Sequence, residues 1–143
     1  MKKVYLAGPM TDIPQSNIPL FDRVAQSLRS KGWTVISPSE LDDLSVRELC
    51  LNNLPTGHTW GDFLSRDVKV VADGELDAIC LLPGWMGSKG ARLEAYVGLL
   101  CGLHFYEVTS DDDLYFLDSY TVAGLLSSTL REDAHASDRR RRA

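Results

Sequence analysis

One carboxylate in the middle of the chain is notable for the loop that precedes it. The stretch LPGWMGSKGARLEAYVGLLCG, residues 82–102, runs from an apolar segment through a Gly/Ser/Lys turn into a helical pattern that contains Glu94. A glutamate in the first turns of a helix is stabilised by the partial positive charge of the helix amino terminus. Alternatively, Glu94 lies between Leu93 and Ala95 on a helix that follows a buried strand, and so could face a ligand crevice. The residues alone leave both interpretations open.

The turn before Glu94 has the composition of a site for a phosphate or a sugar hydroxyl. Its glycines allow the backbone to approach a ligand closely, Ser88 offers a hydroxyl, and the following helix offers free N–H groups. The turn is neither a P-loop ending in GK[ST] nor a GxGxxG fingerprint. Asp67 and Asp77 are two further candidate acids, which fit equally well a helix surface and a strand edge, respectively.

The elements that must position these residues follow from the apolar periodicity. Strands and helices are predicted in alternation, at residues 4–7, 19–31, 33–36, 60–72, 76–83, 90–102, 104–108 and 119–130. Such alternation is typical of a single-domain, Rossmann-like α/β fold of three layers, in which helices flank a mostly parallel sheet. Residues 41–60 show no clear period and predict a loop with a helical turn beside the site.

Three loops follow predicted strands and should meet around one site. They are GPMTD after the first strand, SPSE after the second and GWMGSKG after the central strand. In open parallel sheets, ligands bind beyond the carboxyl ends of the strands. We therefore expect the three loops to line a common pocket.

Composition restricts the class of protein. The 143 residues fit one domain, predicted over residues 1–132, and the net charge of -5 argues against broad binding of nucleic acid. The exception is the RRRR run at residues 139–142. It predicts a disordered basic tail over residues 133–143 or, alternatively, a local anchor for nucleic acid or an acidic partner.

The cysteines and histidines indicate neither a disulfide framework nor a metal site. Cys50, Cys80 and Cys101 share no CxxC spacing, which favours reduced thiols in a reducing compartment. The three histidines, at positions 58, 104 and 135, are scattered, so we expect no metal and no cofactor. No apolar run is long enough to span a bilayer and no signal peptide is evident, so a cytoplasmic protein without membrane contact is expected.

Three motifs, taken together and in order, carry a family resemblance. YLAGPM, RDVKVV and DAICLLPGWMGSKGARLEAYVGLLCG resemble the nucleoside 2-deoxyribosyltransferase superfamily, most closely its small phage and bacterial branch called DUF4406, over roughly residues 3–108. The resemblance implies a Rossmann-like fold and a homo-oligomer of two or more subunits. It also implies cleavage or transfer at the N-glycosidic bond of a small-molecule (deoxy)nucleoside or nucleoside 5'-monophosphate, by a hydrolase or a transferase.

The resemblance also assigns catalytic roles. It implies that Glu94 is the nucleophile on C1' of the sugar, and that Asp67 lies near the leaving base as a proton donor or base-orienting group. Tyr5 corresponds to a tyrosine that orients the nucleophile, although a tyrosine in a first strand is otherwise ordinary core material. Serine at position 88, where transferases acting on free nucleosides tend to have aspartate, favours a 5'-phosphate over a 5'-hydroxyl.

Further substrate-binding residues are expected around Ser88. The candidates are Gly8, Pro9, Met10, Asp77, Trp85 and Gly90. Trp85 could stack on a base or simply cap the core, and Lys89 or Arg92 could add positive charge beside a phosphate. A protein that binds or senses a nucleotide without turnover, and one whose pocket is inert, remain the alternatives to an enzyme.

Overall fold

The computed structural model describes residues 2–73 and 75–142. Its strands are β1 (Lys3–Ala7), β2 (Thr34–Ile36), β3 (Ala78–Leu81), β4 (His104–Val108) and β5 (Leu114–Leu117). Its α-helices are α1 (Ile18–Ser30), α2 (Leu44–Leu51), α3 (Trp60–Ala72), α4 (Lys89–Leu100) and α5 (Ser119–Arg142). No helix in the described part of the chain is both long and apolar enough to cross a bilayer.

The strands form one sheet in the order β2-β1-β3-β4-β5. All neighbouring pairs are parallel except β4 and β5, which are antiparallel. Helix α1 packs on one face of the sheet, and α3, α4 and α5 contribute to the apolar cluster on the other. The predicted α/β fold, with a mostly parallel sheet between helices, is therefore confirmed.

The two central strands show why a continuous apolar run predicts this sheet. Successive side chains of a strand point to opposite faces, so Val4 and Leu6 join the cluster under α1 whereas Tyr5 and Ala7 join the other. Every residue of β3 is buried, because helices cover both faces of the sheet at its centre. A tyrosine at the centre of β1 is thereby directed towards the side that holds α3 and α4.

Helix α1 follows from its apolar spacing. Phe21, Val24 and Leu28 recur at intervals of three and four and are fully buried. Gly32 follows the helix with φ of +97°, a conformation that glycine adopts without steric cost, and its N–H donates to the carbonyl of Arg29 at 3.0 Å. The helix ends where the sequence predicts.

The chain after β4 differs from the sequence prediction. The periodicity gave no indication of β5, a four-residue strand whose side chains are exposed or half-buried. Helix α5 continues through residues 131–142 instead of ending at 130, so the residues predicted as a disordered tail are helical up to Arg142. An ion pair from Asp133 to Arg92 ties this part of α5 to α4, and an i,i+4 pair of 3.1 Å joins Asp138 and Arg142. Residue 143 lies outside the described residues.

The region between β2 and α3 is also more regular than predicted. It contains the eight-residue helix α2 in addition to irregular loop. Arg47 of α2 is ion-paired with Asp22 of α1 and donates to the carbonyl of Ser39 at 3.1 Å. Tertiary contacts thus stabilise a short helix that the apolar pattern of residues 44–51 did not predict.

Candidate active site

A cavity of about 270 Å³ lies at the carboxyl edge of the sheet. Each of the three loops predicted to meet there contributes lining residues, which are Gly8 and Met10 after β1, Pro38 and Asp42 after β2, and Ser88 and Gly90 after β3. Helix α3 supplies an apolar wall made of Trp60, Phe63 and Leu64. The carboxyl ends of β1, β2 and β3 adjoin in the sheet, which explains why their loops converge.

Glu94 lies in this cavity as a buried acid. It belongs to α4, faces the sheet and is only 5% exposed. The hydroxyl of Tyr5 on β1, itself fully buried, donates a hydrogen bond to Oε2 of Glu94. No hydrogen bond from the described residues reaches Oε1, and this oxygen is not sealed from the cavity. Glu94 therefore lines the crevice. Of its two interpretations from the sequence, the structure supports the one in which the side chain faces a ligand site.

Burial sets the ionisation of this pair. Loss of water raises the pKa of Glu94 to about 8, and the nearby charge of Asp67 acts in the same direction. The hydrogen bond from Tyr5 and the charge of Arg66 lower the pKa of Glu94 in part. Burial and the charge of Glu94 raise the pKa of Tyr5 well above its usual value, so Tyr5 remains a hydrogen-bond donor.

Asp67 faces the same cavity from α3 and is held by its neighbour. Oδ1 of Asp67 accepts two hydrogen bonds from Arg66, from Nε at 2.9 Å and from Nη2 at 2.8 Å. Arg66 is also paired with Asp42, in the loop after β2, and its guanidinium carbon lies 5.6 Å from the centre of the Phe63 ring. Burial raises the pKa of Asp67, although the hydrogen bonds and charge of Arg66 oppose this shift.

A second, outer cleft of about 400 Å³ adjoins the cavity at the amino terminus of α4. It shares four lining residues with the cavity, and they are Met10, Thr11, Trp60 and Ser88. Its other lining residues are Pro9, Asp12, Gly87 and Lys89. The two spaces therefore form one continuous crevice with a carboxylate-lined inner end and an outer end beside a helix amino terminus.

Ser88 is the N-cap of α4. Its Oγ accepts a hydrogen bond from the N–H of Ala91 at 3.2 Å, which satisfies one of the free amides at this helix end. The remaining first-turn amides and the partial positive charge of the helix make the outer cleft suitable for an anion. Lys89, which is exposed, adds a positive side chain to this cleft.

Close packing requires glycine at one position of the wall. A Cβ added to Gly8 would lie 2.8 Å from Cβ of Leu82, the residue that follows β3. Because Cβ of Leu82 is fixed by the backbone, a larger residue at position 8 would displace one of the two loops. Gly8 thus allows the loops after β1 and β3 to approach each other at the cavity.

Two predicted substrate-binding residues lie elsewhere. Trp85 is in a short turn after β3, is 5% exposed and packs in the apolar cluster beneath the helices, so it lines neither space. Asp77 immediately precedes β3, at the amino edge of the sheet, where its carboxylate accepts a hydrogen bond from the N–H of Lys3 at 2.8 Å. Of the two roles open to Trp85, the structure supports capping the core.

The positive charge expected from Arg92 is also directed away from the crevice. Arg92 is paired with Asp133 of α5 and is 11% exposed. Its Nη2 lies 3.2 Å from Oδ1 of Asp133. Lys89 is thus the member of the predicted Lys89/Arg92 pair that reaches the outer cleft.

Sequence reasoning missed several cavity residues. The apolar wall could have been predicted, because its residues share one face of the predicted helix 60–72 with the candidate Asp67. They are Trp60, Phe63 and Leu64. Asp42 carried no comparable signal, because the loop after β2 has no motif and reaches the site only through the tertiary fold.

The other candidate groups are unremarkable in arrangement. Cys50, Cys80 and Cys101 are free, and Cys50 lines the cavity whereas Cys80 is buried and Cys101 is exposed. Burial raises the pKa of Cys80 to about 12, so this thiol is not ionised at neutral pH. Within residues 2–73 and 75–142, no group of three His, Cys, Asp or Glu side chains is arranged to hold a metal ion.

The fold and site define a Rossmann-like α/β protein with a carboxylate-lined crevice at the carboxyl edge of its sheet. The profile of the family described as "Domain of unknown function (DUF4406)" matches residues 2–107, and the chain belongs to this family. The match includes every residue of the crevice described above, whereas β5 and α5 lie beyond it. No curated protein matches the chain.

Proposed function

We propose that this protein cleaves, or transfers a sugar across, the N-glycosidic bond of a (deoxy)nucleoside 5'-monophosphate, with Glu94 as the nucleophile. The observation that carries this proposal is the pair of Glu94 and Tyr5 in the cavity. One carboxylate oxygen accepts from the tyrosine hydroxyl, no hydrogen bond from the described residues reaches the other, and Glu94 lines the cavity that a ligand would fill. The resemblance of the three sequence motifs to the nucleoside 2-deoxyribosyltransferase superfamily supports the same chemistry.

The reaction would proceed in two displacements. Oε1 of Glu94 attacks C1' of the sugar while the bond from C1' to the base nitrogen breaks and its electron pair leaves with the base. Asp67 protonates the departing base or holds it by a hydrogen bond. The positive charge that develops on the sugar is stabilised by the carboxylates, and water or a second base then attacks the glycosyl-enzyme intermediate.

Charge supports an orientation with the phosphate in the outer cleft. The inner cavity contains three carboxyl groups, those of Glu94, Asp67 and Asp42, and its guanidinium is already bound to two of them. A phosphate would be repelled there. Among the described residues, the outer end has a single carboxylate, that of Asp12, and there Lys89 and the amino terminus of α4 attract an anion while Ser88 contributes a neutral hydroxyl.

The apolar wall supports a place for the base. Trp60 and Phe63 offer aromatic surface beside Asp67, and Leu64 extends the same helix face. Aromatic rings stack on planar ligands, and a carboxylate at the edge of the stack adds a polar contact. Glu94 lines the same cavity, so a heterocycle against this wall would share that space with the proposed nucleophile.

The compartment and oligomeric state are further parts of the proposed function. We propose a cytoplasmic protein that acts on a small-molecule nucleotide, without a cofactor, as a homo-oligomer of two or more subunits. The resemblance supports the oligomer, and the free cysteines are compatible with a reducing compartment.

The test is release of free base from a panel of deoxynucleoside and ribonucleoside monophosphates, followed by HPLC. We expect release by the wild type and a loss of at least about a thousandfold in Glu94→Gln, because the amide cannot form the glycosyl-enzyme bond. Glu75→Gln is the matched control, since Glu75 is exposed and lies just before β3, at the amino edge of the sheet. If wild-type protein at stoichiometric concentration leaves millimolar nucleotides of every common base intact, the proposal is wrong.

A non-catalytic nucleotide-binding protein is the second candidate, and one observation favours it. With a pKa of about 8, Glu94 is mostly protonated at neutral pH, and a protonated carboxyl binds a hydroxyl but does not attack carbon. Thermal shift separates the two functions. Stabilisation by a nucleotide that persists in Glu94→Gln, together with no base release by wild type, identifies a binding protein.

A further inference from the structure

We propose that Arg66 and Asp42 act as a positioning pair that fixes Asp67 with one oxygen bound and the other presented to the leaving base. The proposal rests on the proposed function for the role of Asp67. The family resemblance assigns no role to Arg66 or Asp42, and no pattern in the sequence associates residue 42 with residues 66 and 67.

The side chain of Arg66 bridges α3 and the loop after β2. Nε and Nη2 of its guanidinium both donate to Oδ1 of Asp67, at 2.9 and 2.8 Å, and Nη2 also lies 3.4 Å from the carbonyl oxygen of Pro38. Nη1 is bound to Oδ1 of Asp42. The planar guanidinium is thereby attached to two elements, and a single lysine amine could not reproduce this fork.

This arrangement makes the two carboxylate oxygens of Asp67 unequal. Both bonds from Arg66 end on Oδ1, and no hydrogen bond from the described residues reaches Oδ2. The side chain of Asp67 is 13% exposed and lines the cavity. Oδ2 is the oxygen left to accept from, or donate to, a ligand.

Charges around Asp67 also act on its ionisation. The titratable groups that line the cavity with Asp67 are Arg66 on its own helix, Asp42 from the loop after β2, Cys50 on α2, and Glu94, to which Tyr5 is hydrogen-bonded. Arg66 favours the ionised form of Asp67, whereas Asp42 favours the protonated form. Arg66 and Asp42 therefore act on Asp67 in opposite directions, and because Asp42 also anchors Arg66, the pair fixes position and protonation together.

The experiment measures the titration of the Asp67 carboxyl by ¹³C NMR in the full chain, assigned by its loss in Asp67→Asn. All variants carry Glu94→Gln, which removes an acid whose pKa depends on the charge of Asp67 and makes the measurement independent of turnover. We expect Arg66→Gln to raise the pKa of Asp67 by about one unit or more, Arg66→Lys to raise it less, and Asp42→Asn to lower it.

Arg47→Gln is the matched control. It breaks another arginine–aspartate pair, and its side chain likewise contacts the loop after β2, but it makes no contact with Asp67. We expect no change in the titration of Asp67. Equal shifts in Arg47→Gln and Arg66→Gln would reduce the role of Arg66 to general support of the fold and overturn the proposal.

The same substitutions in protein that retains Glu94 separate this proposal from the proposed function. If Asp67 titrates as expected and base release falls in Arg66→Gln with partial recovery in Arg66→Lys, both stand. If Asp67 titrates as expected but wild type releases no base, the control of Asp67 by Arg66 and Asp42 stands, whereas its role at a leaving base and the glycosidase function fail. If Arg66→Gln and Asp42→Asn leave the titration of Asp67 unchanged, the positioning pair is wrong whatever the activity.

Discussion

At the scale of single residues, the site depends on one hydrogen bond between two buried side chains. Tyr5 is fully enclosed in the centre of the sheet, and Glu94 reaches it from α4. A buried carboxyl usually remains neutral because ionisation loses its hydration. The tyrosine hydroxyl replaces one water contact of the carboxylate, so it favours the ionised form that a nucleophile requires.

Tyr5→Phe should reduce the rate of base release. Loss of a hydrogen bond to a charged group costs about 1.5 to 3 kcal/mol, so base release should fall roughly ten- to hundredfold. Because the hydrogen bond from Tyr5 lowers the pKa of Glu94, its removal should also move the ionisation of Glu94 to higher pH. Both effects are measured from kcat/KM as a function of pH.

Tyr106→Phe is the control for this substitution. Tyr106 lies on β4 and packs edge-to-face against Trp33, on the sheet face away from Glu94. Base release by Tyr106→Phe, and the pH dependence of this release, should be the same as in wild type. An unchanged pH profile in Tyr5→Phe would contradict the role assigned to Tyr5.

At the scale of elements, the site is made by loops that approach more closely than most side chains permit. The loop after β1 passes over the start of the loop after β3, and Gly8 lies at the point of contact. The sequence predicted both loops from the strands that precede them. It did not predict their separation, which depends on how β1 and β3 pair in the sheet.

Gly8→Ala should therefore destabilise the protein and the site together. The added Cβ would meet Cβ of Leu82 at 2.8 Å, and relief of such overpacking costs about 1 to 3 kcal/mol. We expect a lower free energy of unfolding in urea and weaker stabilisation by nucleotide in thermal shift.

Gly124→Ala gives a control of opposite sign. Gly124 lies within α5, and a Cβ there would meet nothing within 4 Å. Alanine in an open helical position stabilises by about 0.5 to 1 kcal/mol relative to glycine. A Gly8→Ala protein as stable as wild type would show that the two loops can separate without cost.

At the scale of the whole molecule, burial of Glu94 reduces the stability of the fold at neutral and alkaline pH. Its pKa is about 8 in the folded protein, compared with an ordinary value of 4.5. Between these values the folded state binds more protons than the unfolded state, so this residue's contribution to the free energy of unfolding decreases as pH rises. The contribution is fully present below pH about 4.5 and is lost by pH above about 8.

Glu94→Gln should remove this dependence, since glutamine does not titrate and can still accept from Tyr5. Relative to wild type, the variant should gain stability progressively from pH 5 to 9, by about 3 to 5 kcal/mol at the upper end. Urea unfolding across this range measures the difference, and Glu75→Gln, at an exposed acid, should show no such trend. A constant difference between Glu94→Gln and wild type would mean that Glu94 ionises freely in the folded protein.

The elements of the domain differ in how well the local sequence pattern predicts them. The buried strand β3 and helix α1 were predicted because an apolar run or a period of three to four residues is itself the cause of their burial. Strand β5 and the last turns of α5 were not. Strand β5 has no buried side chain, so no apolar pattern marks it. The last turns of α5 are charged, and their ion pair with α4, from Asp133 to Arg92, joins residues 41 positions apart.

For the site, the sequence by itself determined the fold class, the three loops that meet and the candidates Glu94, Ser88 and Asp67. These follow from local spacing and from glycine, serine and acid types next to predicted strand and helix ends. Only the tertiary structure decided that Asp42 and Arg66 adjoin Asp67, that Trp85 belongs to the core, and that Asp77 lies at the opposite edge of the sheet. The physical reason is that a side chain's charge, burial and partners depend on residues distant in sequence, which local pattern does not specify.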